Sequence, residues 1–284
     1  MIRSIGRVIY GAGRAMARSL GLELAGHIAF TGLLAIFPFL IFLAALAGFL
    51  GDYSGSLASV PAVLDLLPAD VGATLRPVID EVLAARDGGL LTLGLLGALW
   101  VASNGIDALR IALNTAYDFE ESRPWWQIKL GSLGAIVVGG FTFLMLSILV
   151  VLGPVIWTAL VWLLPVQALS EAAFSLLRYG LATLIMIAGL LALHRWLPSR
   201  RLRWRSLLPG VIATTLLWLT AASLFSIYVA QLGDYRATYG SLGGVIATLV
   251  FFYVSAVLFI FGAEINAARL RRDRRPPPEN PAAG

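Results

Sequence analysis

The stretch from Gly89 to Pro124, GLLTLGLLGALWVASNGIDALRIALNTAYDFEESRP, constrains the fold more than any other part of the chain. It opens as an apolar segment, and a helix crosses a bilayer in about 20 such residues. Before leaving the apolar phase it carries Ser103, Asn104, Asp107, Arg110 and Asn114. At about 100° per residue, Thr92, Ser103, Asp107, Arg110, Asn114, Tyr117 and Asp118 fall within roughly 100° of one another on a helix wheel. Asp107 and Arg110 stand three positions apart, a spacing that lets them pair on one face. Charged groups at membrane depth are costly against lipid, so they face a bundle interior or a water-filled cavity. This segment therefore demands other helices around it.

The rest of the chain supplies them. Charged residues make up 13% and hydrophobic residues 59%, whereas a soluble domain carries about 25% charged residues. The apolar runs are continuous, not alternating, which argues against a β-barrel. The expected class is an all-α polytopic membrane protein of six transmembrane helices with both termini cytoplasmic. Its spans are expected at about 24–50, 89–113, 130–152, 174–196, 207–230 and 240–267. The chain has no cysteine and only two histidines, His27 and His194. Disulfides, thiol catalysis and cysteine- or histidine-rich metal sites are thereby excluded. No GxxxxGK[ST] run offers nucleotide phosphates a cradle. No cofactor, metal or catalytic residue is expected.

Residues 1–23 read as an amphipathic cytoplasmic helix in the membrane interface. Arg3, Arg7, Arg14 and Arg18 share one side, opposite Ile2, Ile5, Val8, Ile9, Met16 and Leu20. The first span is too long for an ordinary signal peptide, although Ala45 and Ala47 imitate a cleavage site. Pro38 is expected to kink it, and His27 at its entry reads as an interfacial residue rather than a ligand. In the first outer loop Val71, Leu75, Val78 and Val82 recur at helical spacing and predict a short amphipathic helix. Gly153-Pro154 interrupts the third apolar run, leaving 153–165 as a kinked extension. Pro209 is expected in the first turn of the fifth span. Gly240 and Gly244 form a small-xxx-small pair suited to close helix contact. On the last span Ser241, Thr248, Ser255 and Asn266 share a face, with Glu264 roughly opposite. Residues 268–284 are basic, then Pro-rich, and read as a disordered tail.

Orientation follows from the basic residues. The lead, the second-to-third connection, the fourth-to-fifth connection and the tail hold four, three, five and five, which is seventeen of the 21 Lys and Arg. Arg76, Arg86, Arg178 and Arg236 remain for the other side. The positive-inside rule then puts both ends in the cytoplasm. The net charge of +5 is thus concentrated beside the spans, where anionic lipid headgroups are the expected partners and nucleic acid is not. Small-residue stripes fit homo-oligomers and internal packing equally.

Three stretches carry a family resemblance: AFTGLLAIFPFLIFLAAL; ALWVASNGIDALRIALNTAYD with the following RPWWQIKL; and YGSLGGVIATLVFFYVSAVLFIFGAEINAA. Together, and in this order, they resemble the BrkB/YihY family of bacterial inner-membrane proteins over nearly the whole chain. The resemblance implies six helices with both termini inside. It also implies names attached to members: serum-resistance or virulence factor, once a tRNA-processing ribonuclease, and for some relatives a link to lipopolysaccharide or lipid export.

Three functions compete. A transporter or flippase-like handler of an anionic or lipid-like envelope component would use the polar face of the second span. Ser103, Asn104, Asp107, Arg110, Asn114 and Tyr117, with Glu264 and Asn266 on the last span, are its substrate-path candidates. Arg110 could hold a phosphate or carboxylate, and Asp107 or Glu264 could carry a proton. The plain alternative is that Asp107–Arg110 is a static clasp and that Glu264 and Asn266 sit in the headgroup zone. A non-transporting scaffold for envelope assembly would use the arginine clusters to hold lipid. A ribonuclease would need clustered metal ligands or an aromatic-lined RNA groove, and the sequence offers neither.

Overall fold

The structure, a computed structural model, describes residues 2–36, 88–150, 152–154, 157, 161, 170–231 and 242–273. Every regular element among them is a helix. These are α1 (Ile2–Arg18), α2 (Gly21–Ile36), α3 (Gly88–Tyr117), α4 (Trp125–Val150), α5 (Glu171–Trp196), α6 (Trp204–Gln231) and α7 (Leu242–Asp273). By length and composition α3 to α7 can each cross a membrane. Ile9–Arg18 and α2 meet the same test together, across a 73° bend, so the candidate spans number five, or six with that pair as one. The all-helical membrane class is the one the sequence dictates. Pro38, the loop helix expected in 51–88, most of 153–165, and Gly240 lie outside the described residues.

Helix ends show local chemistry that hydropathy does not report. α3 runs on past Leu113 because Asn114, Ala116 and Tyr117 are buried against protein. It stops at Asp118, which takes a left-handed φ of 59°. The Asp118 N–H then reaches the Thr115 carbonyl (3.3 Å) and the Phe119 N–H reaches the Asn114 carbonyl (2.9 Å). That is the Schellman pattern, which satisfies the last carbonyls of a helix. α4 starts directly after Pro124, whose carbonyl accepts from Gln127 N–H at 3.0 Å. α5 is capped by Ser170, whose hydroxyl accepts from Ala173 N–H at 3.2 Å, with Glu171 at the positive end of the helix dipole. α6 begins at Trp204, so Pro209 falls in its second turn, not its first. α7 continues to Asp273, so the tail's first residues are helical.

The chain packs as two units: Met1–Ala25, Leu109–Ser223 and Ser255–Gly284 form the first, Gly26–Ala108 and Leu224–Val254 the second. The pillar of the first unit is the end of α7, where Gly262 to Ala267 are buried without interruption. A helix buried all round must have neighbours on every side. A Cβ on Gly21 would touch Ile260 at 3.6 Å, the Phe259 ring stacks on His194 at 4.4 Å, and Arg271 reaches the Ala116 carbonyl of α3. The closest approach is to α6: a Cβ on Gly210 would collide with the Gly262 carbonyl, and one on Gly262 with the Thr214 hydroxyl. A Cβ on Gly244 would meet nothing within 4 Å among the described residues. Among the described residues of α7, the glycine in tightest contact is Gly262, against Gly210. α4 runs antiparallel along α5, with Thr142 against Gly189, and turns Leu133, Val137, Phe141 and Leu144 outward. Such exposure suits lipid, which is as apolar as leucine. In the second unit Thr31 of α2 packs on Gly105 of α3, Gly32 on Phe252 of α7, and Phe225 stacks on Phe251 at 5.1 Å.

Candidate functional site

The polar residues of the first unit gather where the Arg-rich helix ends and their connections meet. Glu121, in the α3–α4 connection, is the hub. Its carboxylate accepts from Arg110 Nη1 at 2.6 Å, from Asn114 Nδ2 at 3.1 Å, and from Arg123 through Nε at 2.8 Å and Nη2 at 2.9 Å. The backbone N–H of Arg123 adds a fifth donor at 3.2 Å. The Arg123 guanidinium beside it holds the Glu121 carboxyl well below the usual carboxylate range, down to about 2; Arg110 adds to this, against a partial opposing effect of burial. Two guanidiniums thus share one carboxylate, and the trio keeps a net positive charge.

The hub is bolted to the α5–α6 connection. Arg123 Nη2 also donates to the Leu197 carbonyl at 3.0 Å, and Asn114 Oδ1 accepts from the Ser199 N–H at 2.8 Å. Nearby, Arg200 lies 6.0 Å from the Phe119 ring and Arg195 lies 4.6 Å from the Trp204 ring. Cation–π contact holds such guanidiniums without neutralising them. Arg110 and Arg123 have side chains only 12% and 20% exposed, whereas Arg200, Arg201, Arg203 and Arg205 are exposed. Trp125, Trp126, Trp196 and Trp204 are exposed at the same helix ends, the position of an interfacial aromatic belt.

A second network surrounds the end of α7. Glu264, 1% exposed, accepts from the Ser19 hydroxyl at 3.1 Å and from Arg271 Nη2 at 3.2 Å. The same Arg271 nitrogen reaches the Ala116 carbonyl at 3.0 Å. Asn266, fully buried, accepts at Oδ1 from the Gly210 N–H (2.7 Å) and donates from Nδ2 to the Leu207 carbonyl (3.0 Å). Both ends of its amide are spent on the backbone of α6 beside Pro209, whose ring leaves the Arg205 carbonyl without an in-helix donor. Asn266 is a helix clasp in this geometry.

Of the residues singled out by sequence, Arg110, Asn114, Tyr117, Glu264 and Asn266 belong to the first unit. Ser103, Asn104 and Asp107 belong to the second, where Ser103 and Asp107 are half-buried and Asn104 is exposed. Sequence reasoning passed over Glu121, Ser199, Ser19, Arg271 and buried His194, whose Nδ1 pairs with the Leu190 carbonyl at 2.9 Å. A signal existed for the clasp: Gly210 precedes Thr214, and Gly262 precedes Asn266, by four positions each, the small-to-polar spacing of tight membrane helix pairs. No spacing rule announces Glu121.

Comparison with known proteins adds relatives to this geometry. Residues 13–284 match the family described as Virulence factor BrkB. The chain is 34% identical over 261 residues to the ribonuclease-like protein YfkH of Bacillus subtilis, covering 92% of this chain and 94% of that one. It is 26% identical over 265 residues to a UPF0761 membrane protein of Tolumonas auensis, covering 89% of this chain and 84% of that one. A UPF0761 membrane protein of Rhodospirillum centenum is also 26% identical, and there the match covers 87% of this chain and 54% of that longer one. No solved structure matches.

Proposed function

This chain belongs to the BrkB family of membrane proteins, and on that premise we propose that it binds and moves an anionic, lipid-like component of the cell envelope. The supporting observation is the charge balance of the Glu121 hub. Arg110 and Arg123 converge on one carboxylate, and Arg200 is parked on an aromatic ring next to the Ser199 that Asn114 holds. A positive, partly sheltered cluster ringed by exposed tryptophans suits a phosphate-bearing headgroup arriving from the interface. Arg110 stands on α3 at the edge of the cluster, where its guanidinium would take the phosphate.

The test is reconstitution. Fluorescent phosphatidylglycerol and phosphatidylcholine analogues are followed in proteoliposomes carrying the wild type, Arg110→Gln and Asp107→Asn/Arg110→Gln. The expected result is transbilayer flux above empty vesicles, larger for the anionic lipid and at least tenfold lower in both variants, with unchanged helicity. Folded wild type that moves neither lipid would sink this reading. A second reading, a non-transporting scaffold that holds lipid or a partner protein, draws support from Glu264 and Asn266, whose polar atoms are engaged inside the fold. It predicts no flux and a specific crosslinked partner. The ribonuclease-like name belongs to the Bacillus relative; applied to this chain it predicts cleavage of a tRNA precursor by purified protein, lost in a point variant.

A further inference from the structure

Arg178 lies in the first turns of α5, at the end of the first unit remote from the Glu121 hub. Arg195, in the last turn of the same helix, is seventeen positions on, about 26 Å along the axis. Arg178 is nonetheless 8% exposed, and its Nε is fully buried with no hydrogen-bond partner. Its guanidinium carbon sits 4.5 Å from the centre of the Tyr179 ring. No carboxylate of the described residues pairs with it.

A cradle is built for this side chain. A Cβ placed on Gly153 would collide with Cδ and Nη1 of Arg178 and lie 3.1 Å from its Cζ. The arginine therefore occupies the space that a side chain at Gly153 would need. The facing pairs Thr142–Gly189 and Gly153–Arg178 have the same sum of residue numbers. Gly153 thus keeps the antiparallel register of α4 against α5 beyond the end of α4, and the glycine falls where the arginine passes. A buried guanidinium in an apolar bundle is costly unless an anion accompanies it. A ring face and a glycine cradle fix its position and supply no negative charge.

We propose that Arg178 is the binding residue of a second anion site, at the Arg-poor end of the first unit, and that it takes a phosphate-type oxyanion through the planar fork of its guanidinium. The source of that chemistry is a phospholipid headgroup or free phosphate. The site stands on α5 and Gly153 alone and does not need the Glu121 cluster to bind anything.

The experiment is thermal unfolding of the full-length protein at constant ionic strength. One arm titrates inorganic phosphate against chloride in a neutral detergent. The other compares nanodiscs of phosphatidylglycerol and phosphatidylcholine. Wild type should show a saturable rise in melting temperature with phosphate, with phosphatidylglycerol, or with both, the arm identifying the source. Because the site proposed above would also take a phosphate headgroup, the variants are compared in an Arg110→Gln background, where the rise should persist and Arg178→Gln should abolish it. Arg178→Lys keeps the charge but not the fork, and Gly153→Ala keeps the arginine but fills its cradle; each should raise the half-saturating concentration at least tenfold. Should Arg178→Gln not fold, those two variants decide. No rise in either arm, or a rise with the same half-saturation in Arg178→Lys and Gly153→Ala as in wild type, overturns the proposal. A rise that survives undiminished in folded Arg178→Gln/Arg110→Gln, or one that Arg110→Gln alone removes, overturns it equally.

Discussion

Glu121 shows how much one side chain can hold. Its carboxyl is depressed from the ordinary value of 4.5 to about 2 by Arg123 first and then by Arg110. A carboxyl held lower in the fold than in the unfolded chain contributes stability that is fully present above about pH 4.5 and is lost as pH falls towards about 2. Glu121→Gln should therefore lower the melting temperature at pH 7 and flatten the decline between pH 5 and pH 2; an unchanged slope would show that the hub does not couple to folding. Leu20 makes the opposite kind of case. It holds a φ of 45° between α1 and α2 and is 65% exposed. Left-handed backbone costs a residue with a Cβ about 1–2 kcal/mol, and little apolar contact is lost on removing a side chain so exposed. Leu20→Gly should stabilise the protein by up to about 1 kcal/mol, after the extra freedom of glycine in the unfolded chain is subtracted. Melting in detergent checks it, and a lower midpoint would mean that Leu20 makes contacts in the membrane. Sequence could flag Asp107 and Arg110 as helix neighbours. It could not show that Arg110 also meets Glu121, because a left-handed Asp118 and Pro124 bring the chain back upon α3.

At the scale of elements, α6 and α7 make the tightest joint. Gly210 and Gly262 let the two backbones approach until neither tolerates a Cβ, and Asn266 and Thr214 bond across the gap, Thr214 to the Leu258 carbonyl at 3.2 Å. Gly262→Ala pushes a methyl into the Thr214 hydroxyl and should destabilise by about 1–3 kcal/mol, the range for overpacking. Adding Thr214→Ala should recover part of that loss, since the hydroxyl is the closer obstacle. No recovery would assign the clash to the backbone. Asn266→Leu should cost about 1–3 kcal/mol, because it leaves a buried N–H and a carbonyl unpaired. Which stretches are helical was legible, since apolar runs of this length have no other way to satisfy their backbone in lipid. Where the helices end was less so. Leu113 looks like the last apolar residue of its span, yet α3 gains another turn from the burial of Asn114 and Tyr117, which is a property of their neighbours. The tight pairing of Gly210 with Gly262 was not legible, because spacing alone does not say which glycines on two different helices will meet.

Sidedness is a property of the whole molecule. Seventeen of the 21 basic residues fall at one set of helix ends by the expected topology, and α1 and α7 bring Ser19 and Glu264 to within a hydrogen bond of each other. Ala17 on α1 and Arg269 on α7 must then face the same aqueous compartment, and Glu171 at the start of α5 must face the other. All three are exposed. Because the chain contains no cysteine, single cysteines can be placed without removing any. Ala17→Cys, Arg269→Cys and Glu171→Cys would be treated with a membrane-impermeant maleimide, first on intact cells and then on inverted membrane vesicles. Glu171→Cys should label in the first preparation, and the other two only in the second. Labelling of all three from one side would mean that one crossing is missing before Glu171 and another after it. If Ala17 labelled with Glu171 and opposite Arg269, a crossing before Glu171 would be missing, as when the bent pair α1–α2 is not a single crossing. If instead the whole pattern inverted, the helices would stand and the Arg178 end, not the Glu121 hub, would be the cytoplasmic mouth of any path through the bundle.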